Sequence, residues 1–367
     1  MATTQLLNLH NLVQVEIEGD EKFHHDFDYY LGDMISQTRQ RASAHPSRDG
    51  RRRFLRVVHR PGIVTTNMRE VSPGLFISGS AAVDTEYRVR IERSEDGILE
   101  IQSPQAPVEW FMWLLQLMIL QENASFVHCA GVELDGRALI FPSWGGVGKT
   151  AITNSLVRDK HWRLLGDDRV ILTADGRCYG FPQAMVIYAY HREVFPELFA
   201  QGKGPTAPAL ANELLTKLAI GVKPILRRMP LLLNWIRRHN PQSVRVRPSD
   251  VLGSQSLATC ATLDACIWID RDPTICSPKV VQPDDMLVSR IAGSTLSEYD
   301  RHCVGLTPAL CGAGIVPFES TFAAWPSVVK SALSGRPTWM VLLPADMPVS
   351  QVPLVLTEIL RSREVSI

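Results

Sequence analysis

The sequence predicts an α/β protein with a mixed, strongly twisted sheet, preceded by a β-rich region and flanked by a helical insertion. Three observations lead to this expectation. Short strand-like runs dominate residues 1–105, strand-like and helix-like segments alternate over residues 106–367, and a glycine-rich loop joins a strand to a helix at residues 142–150. Since 367 residues exceed most single hydrophobic cores, we expect these two ranges to form either two domains or one domain with a large elaboration.

The N-terminal region is expected to consist of short strands interrupted by a polar loop. The loop, residues 39–53, contains six arginines, and such charge runs are usually solvated. Contact with a phosphate or an acidic partner is the alternative for this loop. The expected strands cover residues 12–18, 53–59, 74–79 and 87–92.

The core is expected to begin with a buried helix at residues 110–120, which is about half as long as the roughly 20 residues of a membrane span. We therefore expect no membrane span. A hairpin follows, with strands at 125–133 and 138–141 joined by the tight turn Asp135-Gly136. Further expected elements are a helix at 151–160, a strand at 162–165, an apolar and basic helical insertion at about 202–248, strands at 265–270 and 338–343, and helices at 284–291, 320–334 and 352–363.

The composition excludes several classes of protein. Lys plus Arg and Asp plus Glu are equal at 38 each, so no electrostatic argument supports a nucleic-acid partner. The seven cysteines include no C-x-x-C pair, which predicts reduced thiols and neither disulfides nor a zinc site. Because no secretory signal is visible either, we expect a cytoplasmic protein.

The glycine-rich loop has the composition of a phosphate-binding loop. Its sequence is Pro-Ser-Trp-Gly-Gly-Val-Gly-Lys-Thr, and a small-residue turn before a helix lets backbone N–H groups surround a polyphosphate. Ser143 stands where the usual pattern has glycine, which puts the geometry at the start of the loop in question. The expected nucleotide-binding residues are Trp144, Gly145, Gly146, Val147, Gly148, Lys149, Thr150 and Ala151.

Two adjacent carboxylates, Asp167 and Asp168, follow the strand predicted after the loop helix. Consecutive residues at a strand end project to different sides, so one carboxylate can hold Mg²⁺ while the other faces an incoming hydroxyl. An ordinary polar turn is the alternative for Asp-Asp alone. Its position one helix after Lys149-Thr150 favours a role at the phosphates.

These residues together resemble the HPr kinase/phosphorylase family and its wider group of HPr-kinase-like proteins, which share a core with phosphoenolpyruvate carboxykinases. The resemblance covers residues 126–172. It is carried by Val-His-Cys-Ala at 127–130, Gly-Gly-Val-Gly-Lys-Thr at 145–150 and Trp-Arg-Leu-Leu-Gly-Asp-Asp-Arg-Val at 162–170. The family's later Arg-Gly signature has no clear counterpart, so the acceptor need not be HPr.

The resemblance implies a role for each matched residue. Lys149 would bind the β- and γ-phosphates of ATP, and Thr150 and Asp168 would organise Mg²⁺. Asp167 would be the base that accepts the proton of the substrate hydroxyl. His128 would border the site and contact the second carboxylate, whereas without the resemblance it reads as a core histidine. The candidates for an additional cation at the transferring phosphate are Arg290, Arg301 and Arg336.

The expected function is that of an ATP- and Mg-dependent kinase that phosphorylates a Ser-type hydroxyl of a protein or peptide. A small-molecule alcohol kinase and a nucleotide-dependent switch without phosphoryl transfer are the alternatives. Carboxykinase-type chemistry would need further metal-binding positions that the sequence does not identify. The resemblance is also compatible with a homo-oligomer of unspecified size.

Overall fold

The protein has a mixed α/β structure with two large mixed sheets, in agreement with the α/β class that the sequence predicts. The computed structural model describes residues 2–35, 53–94, 96–204, 243–317 and 324–362. Most of the expected polar loop at 39–53 and of the insertion at 202–248 lies outside the described residues, as does the start of the helix expected at 320–334.

The first sheet is built from residues of the N-terminal region, and the described residues between its second and third strands include the helix Glu21–Leu31. The strand order is β1-β2-β3-β8-β7-β6-β5-β4, and β3 is parallel to both neighbours. The elements are β1 (Thr3–Leu9), β2 (Val13–Gly19), α1 (Glu21–Leu31), β3 (Arg53–His59), β4 (Arg69–Ser72), β5 (Leu75–Ser78), β6 (Ala81–Asp84), β7 (Val89–Arg93) and β8 (Leu99–Ser103).

The second sheet follows a long buried helix and carries the glycine-rich loop. Its first half contains α2 (Val108–Leu120), β9 (Ala124–Leu134), β10 (Arg137–Pro142), α3 (Lys149–Lys160), β11 (Arg163–Gly166), β12 (Arg169–Thr173) and β13 (Arg177–Gly180). Its second half contains β16 (Cys260–Asp272), β17 (Lys279–Val281), α6 (Leu287–Ser297), α7 (Arg301–Gly312), α8 (Ala324–Leu333), β18 (Thr338–Pro344) and α9 (Val352–Ser362).

The strand order of this sheet is β10-β9-β12-β13-β16-β18-β17, and β11 also pairs with β9. An additional parallel pairing of β10 with β16 closes five strands on themselves. Between the two halves lies a two-stranded ribbon of β14 (Met185–Tyr188) and β15 (Ser243–Val246), with the short helices α4 (Pro196–Ala200) and α5 (Pro248–Leu252).

Helix α2 connects the two sheets through one hydrophobic core. Except for Glu109, all of its residues are buried, and it packs against β2, β3 and β9. The same core contains side chains of both sheets, such as Val15 and Phe126. No helix in the described part of the chain is long and apolar enough to cross a membrane.

Several expected elements are confirmed within one or two residues, including β3, β9, α2 and β18. The turn at Asp135-Gly136 is also confirmed, and both residues have positive φ. Helix α1 was not expected; its signal is Asp20, whose carboxylate accepts the Phe23 backbone N–H as an N-cap. Residues 243–246, inside the expected helical insertion, form a strand because they pair with β14.

A buried carboxylate joins the first sheet to the helices of the core. Asp84, at the end of β6, accepts a 2.9 Å hydrogen bond from Trp110 Nε1 on α2 and lies 3.0 Å from His302 Nε2 on α7. Its other oxygen accepts the Glu86 backbone N–H at 3.0 Å. The Asp84 carboxylate therefore contacts two helices, α2 and α7, and the turn that follows β6.

We expect Asp84→Ala to lower the free energy of unfolding by about 3 kcal/mol, because buried partners lose their acceptor. Urea denaturation measures the change. The matched control is Asp96→Ala at an exposed position, for which we expect a change within about 0.5 kcal/mol. A loss below about 1 kcal/mol for Asp84→Ala would show that the contacts are dispensable.

Candidate functional site

The glycine-rich loop lies at the carboxyl end of β10, beside a parallel strand. Ser143 forms a parallel bridge with Ile269 of β16 and is fully buried. It therefore extends the strand, and the positive-φ glycines come later, at Gly146 and Gly148. The missing glycine at position 143 is thus compatible with the loop, because that residue adopts no left-handed conformation.

Helix α3 begins directly behind the loop. Gly148 is its N-cap with φ of 111°, so the free N–H groups of the first helical turn and the positive dipole end face the loop. A Cβ on Gly148 would lie 3.3 Å from Val352 of α9. Both the conformation and the close approach of α9 favour glycine here.

Lys149 projects back across the loop into a buried position. Its Nζ donates to the carbonyl oxygens of Ser143 at 3.2 Å and Trp144 at 3.1 Å, and it lies 3.1 Å from His128 Nε2. Burial lowers the pKa of Lys149, while the carboxylates of Asp168 and Asp167 act in the opposite direction. The loop thus holds a cation at the point where phosphates are expected.

The register of the β9–β10 hairpin explains why His128 is beside the loop. Pro142 is opposite Cys129, so the residue that follows it in the loop reaches the level of His128. Across the other edge of β9, His128 is opposite Arg169 of β12. His128 therefore lies between the loop and the carboxylate pair, and its backbone N–H donates to Thr295 Oγ1 at 2.9 Å.

Asp167 is buried against the first turns of α3. Thr150 donates to Oδ2 at 3.0 Å and Thr153 donates to Oδ1 at 3.1 Å. These threonines are three residues apart, so they share one face of the helix. Burial, with the adjacent charge of Asp168, raises the pKa of Asp167 to about 6. The carboxylate is therefore suited to exchange a proton near neutral pH.

Asp168 points towards His128. Its Oδ1 lies 3.2 Å from His128 Nε2, and its Oδ2 accepts a 2.9 Å hydrogen bond from Gln183 Nε2. Burial would raise the pKa of Asp168, but the bond to His128 and the positive charges of Arg169 and Lys149 hold it well below its ordinary value. The two neighbouring carboxylates thus differ in their readiness to accept a proton.

The bend that contains Asp167 and Asp168, called here the carboxylate turn, requires Gly166. A Cβ on Gly166 would overlap the carbonyl oxygen of Arg169. The chain therefore bends locally between β11 and β12, which are both antiparallel to β9 and run in the same direction along it. This turn places Asp167 and Asp168 at the strand ends, next to the loop.

Glu298, just after α6, completes an acidic group around His128. Its Oε1 lies 3.6 Å from His128 Nδ1. Ligand atoms of His128, Asp168 and Glu298 all lie within 4.8 Å of one another, so they could hold a divalent cation. The Thr150 hydroxyl and the Asp167 carboxylate, which are hydrogen-bonded to each other, also offer oxygen atoms, the ligand type that Mg²⁺ prefers.

The site opens into one cavity of about 530 Å³. This volume lies within the range of small-molecule sites. Predicted residues that line it are His128, Gly145, Gly146, Gly148, Lys149, Thr150, Asp167 and Asp168. The side chains of Val147 and Ala151 are buried and do not line it, while Trp144 is 42% exposed and contacts Trp268 edge to face.

Sequence reasoning did not identify several residues that line the cavity. Arg169 donates to Gln183 Oε1 at 3.0 Å and to the Glu298 carbonyl at 3.3 Å, which links the carboxylate turn to α6. Its position directly after Asp-Asp was the available signal. The further lining residues that were missed include Tyr30, Glu109, Tyr188, Tyr190, Arg245, Glu298 and Asp300.

The three arginines proposed as additional cations lie elsewhere. Arg290 pairs with Asp284 at 2.8 Å, and Arg336 donates to backbone carbonyls, including that of Leu263 at 3.1 Å. Neither of these, nor Arg301, lines the cavity. The arginines that do line it are, within the described ranges, Arg169 and Arg245.

An apolar strand that ends in aspartate also lies beside the loop strand. It is the segment of β16 up to Asp270, parallel to β10. The Asp270 carboxylate accepts the backbone N–H of Arg271 at 2.9 Å, and Asp270 does not line the cavity. The carboxylates beside Lys149 therefore come from the Asp167-Asp168 turn and Glu298.

A scan of the chain against protein-family models gives no match, and a search of curated proteins gives none.

Proposed function

We propose that the protein is a kinase with an HPr-kinase-like core, which transfers the γ-phosphoryl group of ATP to a Ser-type hydroxyl of a protein or peptide. One observation carries the proposal. A single cavity contains a lysine held by a glycine-rich loop, a threonine at the helix N-terminus and two carboxylates of different acidity. These are the groups that phosphoryl transfer to an alcohol requires.

Asp167 is proposed as the general base. Its raised pKa, about 6, supports this role because a base works best when its pKa is close to the working pH. The hydroxyls of Thr150 and Thr153 fix both carboxylate oxygens, so the side chain has a defined orientation. In the proposed reaction the oxygen of the acceptor hydroxyl attacks the γ-phosphorus of ATP, Asp167 accepts the proton of that hydroxyl, and ADP leaves.

Lys149 and the start of α3 are proposed to bind the phosphates. The lysine ammonium and the free N–H groups of the helix provide positive charge on one side of the cavity. Thr150 and Asp168 would hold Mg²⁺, and Glu298 offers a further oxygen ligand. When bound, the ion neutralises charge on the phosphate oxygens.

A protein or peptide acceptor is favoured over a small alcohol because the cavity is formed by several separate elements. Tyr30 comes from α1, Glu109 from α2 and Tyr188 from β14, and the glycine-rich loop contributes further residues. Such a site offers side-chain contacts beyond those to the reacting hydroxyl. A small-molecule kinase of the same fold remains the alternative.

A nucleotide-dependent switch is the second candidate function. The loop alone would serve it, because ATP binding can order a segment that a partner recognises. A switch would not need Asp167 to accept a proton. We favour a kinase because the bonds from Thr150 and Thr153 hold Asp167 in a fixed orientation in the cavity.

The proposal is tested with γ-labelled ATP, Mg²⁺ and mixtures of Ser-containing peptides or cell-extract proteins. We expect label on acceptor hydroxyls with the wild-type protein and little or none with Asp167→Asn. If no acceptor is labelled, or both proteins label equally, the kinase proposal is wrong. Nucleotide binding without transfer by either protein would support the switch.

A further inference from the structure

One part of the cavity lining is built jointly by the N-terminal region and the β14–β15 ribbon. Tyr30 and Leu31, at the end of α1, belong to it. They are fixed there because the Tyr30 carbonyl accepts the Ala184 N–H at 3.3 Å and the Asp33 N–H donates to the Pro182 carbonyl at 3.1 Å. This part is thus tied to the chain segment that follows the carboxylate turn.

Arg245 on β15 is the cation of this part of the lining. It is directly opposite Val186 of β14, and opposed residues of an antiparallel pair project to the same face. Both residues line the cavity. The guanidinium carbon of Arg245 lies 4.7 Å from the centre of the Tyr30 ring, which is a cation–π contact.

Arg245 differs from the other arginine of the cavity in having no acidic or amide partner. Arg169 is bonded to Gln183 and to the Glu298 carbonyl, whereas no ion pair or hydrogen bond joins the Arg245 side chain to a described residue. The guanidinium N–H groups of Arg245 therefore have no acceptor among the described residues. A guanidinium edge with five donors matches a carboxylate in bidentate geometry.

The contacts of Arg245 differ from those of the phosphate-binding lysine. Lys149 is the cation that the loop holds, through the carbonyls of Ser143 and Trp144. Arg245 lies on β15 and contacts Tyr30 of α1, and among the described residues it has no bond to the glycine-rich loop. An anion at Arg245 is therefore assigned to the acceptor, and the donor phosphates to the loop.

We propose that Arg245, oriented by Tyr30, binds an Asp or Glu carboxylate of the acceptor peptide close to the hydroxyl that is phosphorylated. This inference rests on the proposed kinase function. It assigns acceptor selection to a contact between the N-terminal region and the ribbon. Tyr30 acts as a positioning residue, and its ring, with or without the hydroxyl, is the part that matters.

The test uses the full chain, ATP with Mg²⁺, and a series of peptides with one serine and Glu, Gln or Lys at each flanking position. We expect the wild-type protein to prefer Glu over Gln at one or more positions by about 10- to 100-fold in kcat/KM. Arg245→Glu should lose this preference and favour Lys instead. Tyr30→Phe should keep the preference for Glu, and Tyr30→Leu should weaken it.

Arg192→Glu is the matched control. Arg192 is also an arginine stacked on an aromatic ring, 5.2 Å from the centre of Phe199, but it is exposed and does not line the cavity. We expect this variant to keep the wild-type preference. Retained folding of each variant is checked by its thermal unfolding midpoint, and the reversal of preference cannot result from partial unfolding.

Each other result contradicts the inference in a recognisable way. Phosphorylation without a preference for acidic peptides overturns the inference and leaves the kinase proposal standing. An unchanged preference in Arg245→Glu shows that another residue reads the carboxylate. A raised KM for ATP with unchanged peptide preference assigns Arg245 to the nucleotide. If no peptide is phosphorylated at all, the proposed function fails first.

Discussion

Replacing Asp167 by Asn is expected to lower kcat by about 10²- to 10⁴-fold while nucleotide binding remains within a few-fold of wild type. The amide keeps the size of the carboxylate but cannot accept the proton of the acceptor hydroxyl. One of the Thr150 and Thr153 hydroxyls keeps an oxygen acceptor, and the other can accept a hydrogen bond from the new NH2 group. The fold around α3 should therefore be retained. Rapid-quench measurement of transfer, together with nucleotide titration, separates the two effects.

The pH dependence gives an independent check on the same residue. Since the pKa of Asp167 is raised to about 6, kcat/KM should rise with pH through this value and then level off. The folded state also holds this proton more tightly than the unfolded chain does. Stability from this group should therefore fall as pH rises from about 4 to about 6, and Asp167→Asn should remove that slope.

Asp96→Asn is the control for both measurements because Asp96 is exposed. It should leave kcat and the pH profile unchanged. An Asp167→Asn protein that transfers phosphoryl groups at a wild-type rate would exclude Asp167 as the base. If neither the wild-type protein nor Asp167→Asn transfers phosphoryl groups, but both bind a partner in a nucleotide-dependent way, the protein is better described as a switch.

The second large effect is expected for Lys149→Met. The substitution keeps an unbranched side chain in the buried position but removes the ammonium group that donates to the Ser143 and Trp144 carbonyls. We expect turnover to fall about 100-fold or more and ATP affinity to fall with it, because a charge-assisted contact to phosphate is lost. Calorimetric titration with ATP and the labelled-transfer assay measure the two losses.

Lys330→Met is the matched control, since Lys330 is an exposed lysine of α8. It should change neither quantity. Unaltered ATP affinity in Lys149→Met would contradict the assignment of the loop as the phosphate site. Lost affinity with preserved thermal stability would support that assignment.

The central part of the site was predictable because its residues are close in sequence. The hairpin turn at Asp135-Gly136 sets the register that puts His128 beside the loop, and the sequence contains that turn. Gly166 and the carboxylates follow one helix later. Short-range patterns of this kind indicate which groups meet before the fold is known.

The remaining residues were not predictable because their positions depend on distant pairings. Glu298 reaches His128 through the packing of α6, and Arg245 reaches Tyr30 only after β15 pairs with β14. Arg245 also lies near the end of the segment expected as a helical insertion, at about 202–248. One signal for this region was present in the sequence. Asp300 is a residue type that caps helices, and its carboxylate is the N-cap of α7, so it marks the end of the connection that contains Glu298.

The shared core around α2 limits how this protein can be divided or recombined. Trp110 and Phe111 are fully buried between two sheets, so a shortened chain that begins after residue 105 would present these surfaces to water. It would also lack the Tyr30 ring. A change of acceptor specificity by exchange of the N-terminal region would therefore require a donor sequence that supplies both the matching apolar surface and the aromatic ring.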